Sequence, residues 1–173
     1  MSAKIIVVLA ALVIAAVAAP PPASARVLRF HAALDGKSGM EPTGSAASGR
    51  AAIRVDTVTH RVSVDLDVRG ITIDDLWDNL VKAPVGPIHF HKYMVAGDSV
   101  LALPLPFGPD YHATRRGLRV AMKAYDYDTG AELVKSTLTF DDFVADLRDG
   151  LIVLNIHTDK FNPGEISGKV VAD

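Results

Sequence analysis

Apolar and polar residues alternate along much of the chain with the two-residue period of half-buried β-strands. The alternation is clearest over 60–70, where valine and leucine are separated by serine, aspartate and arginine. It predicts one strand there and an earlier strand at 53–55. The residues at 57–59 predict a turn that joins the two strands into a hairpin.

The second half of the chain predicts four more strands. The same period over 118–124 is followed by Asp-Thr-Gly at 128–130, which predicts a tight turn into a strand at 133–138 and so a second hairpin. The nearly continuous β-branched and apolar run at 151–158 is typical of a central strand, and 166–171 forms the last strand.

Two segments have helical spacing instead. Apolar residues recur at i, i+3, i+4 and i+7 over 140–147, with Thr139 or Asp141 as the N-terminal cap and Gly150 as the stop. A second short helix is predicted at 74–82, which ends before a proline.

Loops complete the pattern. They are predicted at 35–50, which is rich in glycine, serine and alanine, and at 104–109, which holds three prolines. Many short strands separated by turn signals predict an all-β fold, an antiparallel β-sandwich or barrel with one or two short helices.

The N-terminal segment has the pattern of a secretory signal peptide. Lys4 precedes 15 apolar residues at 5–19, and three prolines then lead to Ala-Ser-Ala at 23–25. An uncleaved anchor is the alternative, but the run is shorter than the roughly 20 residues that span a bilayer. We therefore expect cleavage after Ala25, a secreted or periplasmic domain over 26–173, and no membrane span after cleavage.

The apolar fraction of the chain becomes ordinary once this segment is removed. The whole chain is 49% apolar, and the expected domain is roughly 45% apolar, which is ordinary for a globular protein. The whole chain has 18 basic and 20 acidic residues and therefore a net charge of −2, so it has no excess of positive charge for binding nucleic acid. It has no cysteine, which excludes disulfides and thiolate sites. An exported protein without disulfides fits a bacterial periplasm or exterior.

Histidines offer the most specific candidate chemistry. His89 and His91 are two positions apart, so both imidazoles project to the same face if this segment is a strand. His157 lies at the end of the run 151–158. If these strands are neighbours, three imidazoles converge into a set of nitrogen ligands that suits copper or zinc, with nitrogens within roughly 4 Å of each other. The alternative is that the histidines only hydrogen-bond within the sheet.

Other polar residues are expected to have structural roles. His31, His60 and His112 stand alone in the sequence, although His112, in an expected loop, is within reach as a fourth ligand. Glu165 lies at a strand entrance, where a carboxylate accepts backbone N–H bonds. Met94 is a possible soft copper ligand, but core packing is the usual role of methionine.

Several motifs resemble those of the CHRD (chordin) domain family. Pro-Ile-His-Phe-His at 87–91 is similar to its A-H-I-H segment, and Asn-Ile-His-Thr at 155–158 with Asn-Pro-Gly-Glu-Ile-Ser-Gly at 162–168 is similar to its closing motif. The start of the domain also resembles this family, at 30–36 and 49–51. Ser167 stands where the family usually has arginine, Leu154 where it has an aromatic residue, and 70–87 is longer than expected.

The resemblance implies an immunoglobulin-like β domain. Such domains are repeated in chordin, an extracellular antagonist of growth factors in animals, and occur singly in exported bacterial proteins, so we expect the single-domain bacterial type. The H-x-H pair is also similar to the first copper-ligand pair of Cu/Zn superoxide dismutase, whose bridging histidine and zinc aspartate are not recognisable here.

Three functions follow from these observations. The first is a non-catalytic binding module that holds copper or zinc through His89, His91 and His157. The second is a structural or protein-interaction module of the cell envelope, with an unknown partner and no metal. The third is a dismutase-like redox enzyme or a hydrolase, which is disfavoured because the sequence contains no recognisable nucleophile–base pair.

Overall fold

A computed structural model describes residues 26–94 and 97–173. The segment 1–25 lies outside the described residues, so the signal peptide stays a prediction. The described residues form nine strands. They are β1 (Val27–Asp35), β2 (Ser48–Asp56), β3 (Arg61–Arg69), β4 (Ile88–Tyr93), β5 (Ser99–Leu105), β6 (Tyr111–Thr114), β7 (Gly117–Asp126), β8 (Ile152–Ile156) and β9 (Ile166–Ala172).

The nine strands pair in one curled sheet in the order β5-β4-β8-β9-β1-β2-β3-β7-β6. Each strand pairing in this sheet is antiparallel. Alternate residues of most strands point inward and form one apolar core, as the two-residue period predicts. The expected all-β antiparallel fold is therefore confirmed.

Three short helices accompany the sheet in the described part of the chain: α1 (Asp78–Val81), α2 (Tyr127–Leu133) and α3 (Phe140–Arg148). The predicted helix over 140–147 corresponds to α3. Its buried face packs into the core, where the Phe143 ring lies 4.8 Å from that of Tyr127 and 6.1 Å from that of Phe90. The cap is Thr139, whose side chain accepts from the backbone N–H of Asp142.

Because Thr139 and not Asp141 caps α3, substitutions at the two positions should differ in their effect on stability. Thr139→Ala removes a full capping box and is expected to lower the free energy of unfolding by about 1 kcal/mol. Asp141→Ala is the matched control, because Asp141 lies within the first turn and caps nothing. Urea denaturation of both variants measures the difference, and an equal loss in the two would contradict this assignment.

The predicted second hairpin is wrong. Residues 128–130 lie inside α2, and 133–138 is not a strand. The Asp126 side chain accepts from the backbone N–H of Thr129 at 2.8 Å and so begins a helix where a tight turn was expected.

Two smaller predictions also need correction. The helix expected at 74–82 is split into a 3₁₀ turn at Ile73–Asp75 and the short helix α1. Pro104, expected in a loop, belongs to β5 and pairs with His89. A proline is tolerated there because β5 ends the strand order and is an edge strand.

Candidate metal centre

The two histidines of the H-x-H motif lie on β4, between β5 and β8. His89 pairs with Asn155 of β8, and His91 pairs with Val153. Paired residues project to the same side of a sheet, and His157, two positions after Asn155, continues that side. The face they share is opposite to the one that carries Phe90 into the core. The pairing of β4 with β8 therefore places three imidazoles on one side of the sheet.

The three imidazoles converge. One nitrogen from each of His89, His91 and His157 lies within 4.8 Å of the other two. The ring centroids are 4.9 Å apart for His89 and His157, 5.6 Å for His89 and His91, and 6.0 Å for His91 and His157. The convergence expected from the sequence is present, although the limit of 4.8 Å is wider than the expected 4 Å.

Two of the rings have a defined tautomer. His89 Nε2 lies 2.5 Å from the carbonyl oxygen of Gly86, and His157 Nδ1 lies 2.7 Å from that of Asn162. A carbonyl oxygen only accepts, so each of these nitrogens carries the proton and donates it. The lone pairs are therefore on Nδ1 of His89 and Nε2 of His157. Metal-bound histidines typically donate their other N–H to a backbone carbonyl in the same way.

The remaining nitrogens of the cluster have unusual surroundings. Both ring nitrogens of His91 and Nε2 of His157 are buried and have no hydrogen-bond partner among the described residues. A buried polar atom without a partner costs about 1–3 kcal/mol, so such atoms are rare. Three buried nitrogens without a hydrogen-bond partner in one cluster favour a site in which a bound ligand is their partner.

The cluster is electrically neutral near pH 7. His89 is 4% exposed and His157 is 8% exposed. Burial, together with repulsion from the neighbouring imidazoles, lowers the pKa of His89 to about 3 and that of His91 to about 4. Burial also lowers the pKa of His157, against the raising effect of its hydrogen bond to Asn162. Neutral imidazole is the form that binds metals.

The long segment 70–87 helps to enclose the cluster. Leu76 forms a β-bridge with Thr158, and the backbone N–H of Trp77 donates to the carbonyl oxygen of His157 at 3.2 Å. The indole of Trp77 lies 6.4 Å from the His157 ring, measured between centroids. The segment also supplies Gly86, whose carbonyl orients His89.

The turn after His157 is held by a compact polar network. The Asn155 amide donates to the carbonyl of Pro163 and accepts from the Ser167 hydroxyl. Gly164 has a φ of +130°, and a Cβ atom there would overlap the Asn155 amide, so the position requires glycine. This network positions Asn162, whose carbonyl orients His157.

Glu165 belongs to the same turn, but its hydrogen-bond partners differ from those predicted. Its carboxylate accepts from the hydroxyl groups of Ser45 at 2.6 Å and Thr158 at 2.7 Å, not from backbone N–H groups. It thereby links the loop before β2 to the turn before β9, a contact across 120 residues in the case of Ser45. The role is structural, as expected, but the partners are two hydroxyl groups, one from a distant segment and one from the same turn.

The other histidines lie outside the cluster. His31 pairs with Asp173 at 2.7 Å, and His60 pairs with Asp128 at 2.9 Å. His112 is exposed on β6 instead of in a loop, and it is not one of the three residues whose nitrogens converge. Met94 is 47% exposed, so its expected place in the core is wrong.

The sequence pattern of the CHRD domain matches residues 30–170, which is most of the chain. The chain belongs to the CHRD domain family. The match includes both the H-x-H pair on β4 and His157, so the candidate site lies entirely within this CHRD domain. Comparisons with curated proteins and with solved structures give no match.

Within the described part of this CHRD domain protein, no helix is long and apolar enough to cross a membrane.

The sequence indicates the three histidine ligands but not the groups that orient their rings. These groups are the carbonyls of Gly86 and Asn162, together with the cover from Trp77. A backbone carbonyl is present at every position, so its role depends on the path of the chain. The unexpected length of 70–87 was the one signal in the sequence that pointed toward a covering segment.

Proposed function

We propose that this CHRD domain is a non-catalytic binding module that holds one copper or zinc ion through His89, His91 and His157. The observation that carries the proposal is the convergence of three neutral imidazoles whose buried nitrogens include three without a protein partner. Two of the rings are already oriented by backbone carbonyls, so metal binding needs little rearrangement of them.

The ligand chemistry fits both candidate metals. Three histidines with a further position open to water or another ligand form a common zinc arrangement. Imidazole also suits copper, and copper(II) is bound more tightly than zinc at a given nitrogen site. We therefore expect the isolated protein to prefer copper(II) when both ions are supplied equally.

The proposal includes export as a single-domain protein of the bacterial type. It is supported by the signal-peptide pattern at 1–25, the expected cleavage after Ala25, and the absence of cysteine in the sequence. An exported domain without thiolates depends on histidine and carboxylate side chains for its transition-metal ligands.

Loading the purified protein with metal tests the proposal. We expect one copper ion per chain after removal of excess metal, measured by elemental analysis. Trp77 is the only tryptophan in the sequence, and its ring lies 6.4 Å from that of His157. Copper(II), which is paramagnetic, should therefore quench the fluorescence strongly at one equivalent, whereas zinc should quench it little because its d shell is filled.

The matched control is a His31→Ala variant, which removes an exposed histidine outside the cluster. It should retain one copper per chain and the same quenching. A wild-type protein that contains no metal after loading with either ion would overturn the proposal.

A structural or protein-interaction module without metal is the second candidate function. The hydrogen bonds from His89 to Gly86 and from His157 to Asn162 favour it, because they connect the sheet to its surrounding loops. This function predicts that substitution of His89 lowers stability and leaves metal content unchanged. Capture of a cell-envelope partner that is unaffected by chelators would support it.

A further inference from the structure

A groove of about 720 Å³ lies on a different part of the sheet from the histidine cluster. One wall is formed by β1, β2 and β3, and the other by the end of β6 and the turn between β6 and β7. Its size falls within the range of pockets that bind small organic molecules. The charged residues that line it are four arginines and one aspartate: Arg50, Arg69, Arg115, Arg116 and Asp67.

The four arginines have no side-chain partner among the described residues. None of them forms an ion pair, and the same holds for Arg29, Arg54 and Arg148 in the described part of the chain, whereas Arg26, Arg61 and Arg119 each pair with an aspartate. The groove differs in gathering four such arginines around one cavity. The groove therefore carries a net charge of +3 in a chain whose net charge is −2. A concentration of unpaired guanidinium groups on an acidic protein attracts anions.

The β6–β7 turn supplies two of the four arginines. Thr114 pairs with Gly117, so Arg115 and Arg116 fill both positions of a two-residue hairpin loop. Such loops favour Asn-Gly or Asp-Gly because their preferred types need a positive φ, and neither arginine has one. The turn is held by the hydrogen bond from Gly70 N–H to the Arg116 carbonyl at 2.9 Å. With ordinary φ values both positions accept arginine without strain, and the turn places the two arginines next to each other on the lining of the groove.

The chemistry of the groove defines its ligand. Guanidinium groups bind phosphate oxygens through paired hydrogen bonds. A single phosphate is much smaller than a groove of 720 Å³ and engages only part of a set of four arginines. Hydroxyl groups of Ser48 and Thr114 on the lining add neutral donors. The geometry points to a ligand that carries two or more phosphate groups, bound by Arg50, Arg69, Arg115 and Arg116.

Titration with inorganic tripolyphosphate, followed by calorimetry, tests this site in the full domain. The test variant is Arg50→Gln with Arg116→Gln, which removes one arginine from each wall. The matched control is Arg29→Gln with Arg54→Gln. These two exposed arginines face each other on β1 and β2, lie outside the groove, and carry the same charge. Thermal unfolding of both variants checks that the fold is retained.

We expect the dissociation constant for tripolyphosphate to rise at least tenfold in the groove variant, because each charge-assisted hydrogen bond between an arginine and a phosphate contributes substantially to the binding free energy. It should stay within twofold of wild type in the control variant. Orthophosphate should bind wild type at least tenfold more weakly than tripolyphosphate. Equal losses in both variants, equal affinities for the two anions, or no binding by wild type would each overturn the inference.

A vesicle assay separates the two sources of such a ligand. Sedimentation with vesicles that carry a diphosphate headgroup, lost in the groove variant, would support the site and identify a lipid. Tripolyphosphate binding without sedimentation would support a soluble ligand. Neither outcome depends on metal loading, because the lining of the groove includes none of the three clustered histidines.

Discussion

His91→Ala is expected to lower the affinity for copper(II) by about 100-fold or more. Changing a group that only orients a metal ligand typically costs 10–100-fold in affinity, so loss of a ligand itself should cost at least as much. His91 is the best position for this test because neither of its ring nitrogens has a hydrogen-bond partner among the described residues. Its removal breaks no protein hydrogen bond, unlike removal of His89 or His157. Competition with a chromogenic chelator measures the affinity.

His31→Ala is the control, and its copper affinity should remain within about twofold of wild type. Thermal unfolding without metal should show little loss for His91→Ala, since the wild-type ring leaves two buried nitrogens unpartnered. With copper present at 100 times the dissociation constant, wild type should gain about 2.7 kcal/mol of stability. The variant should lose most of this gain. Copper affinity unchanged by His91→Ala would exclude the three-histidine site.

Phe143→Ala is expected to lower the free energy of unfolding by about 3–5 kcal/mol. The Phe143 ring is fully buried on α3 and packs against Tyr127 and Phe90. Its truncation removes apolar burial and leaves a cavity between a helix and the sheet, a combination that costs this much in other cores. Because native domains are stable by only about 5–15 kcal/mol, the loss is a large share of the total. Urea denaturation followed by circular dichroism measures it.

Val58→Ala provides the matched comparison, because Val58 is 68% exposed at the β2–β3 turn. Its truncation should change the free energy of unfolding by less than about 0.5 kcal/mol. A Phe143→Ala variant as stable as Val58→Ala would show that α3 does not pack into the core as described.

The elements predicted correctly are those set by local periodicity. The alternation over 60–70 corresponds to β3, and the spacing over 140–147 corresponds to α3. In both cases the pattern of burial repeats within a few residues, so a short window contains the information. The sequence at 128–130 was misinterpreted because Asp-Thr-Gly suits both a tight turn and the first turn of a helix. The structure shows the helix, begun by the side chain of Asp126.

The candidate site also combines features that local sequence predicts with features that only strand pairing produces. That His89 and His91 share a face follows from strand geometry alone. That His157 joins them depends on the pairing of β4 with β8. These two strands are separated by the 58 residues at 94–151. No local pattern specifies that pairing, because many strands have compatible apolar faces. The arginine groove was not predicted, since its residues come from four separate strands and a turn.

The all-β class, the approximate positions of β2, β3, β7, β8 and β9, the CHRD resemblance and three candidate ligands follow from the amino-acid sequence alone. These depend on covalent geometry and short-range periodicity, which any stretch of chain carries. The strand order, the convergence of the imidazoles and the carbonyls that set the tautomers of His89 and His157 depend on the tertiary fold. The physical reason is that long-range proximity results from burying one shared core, a property of the whole chain and not of any segment.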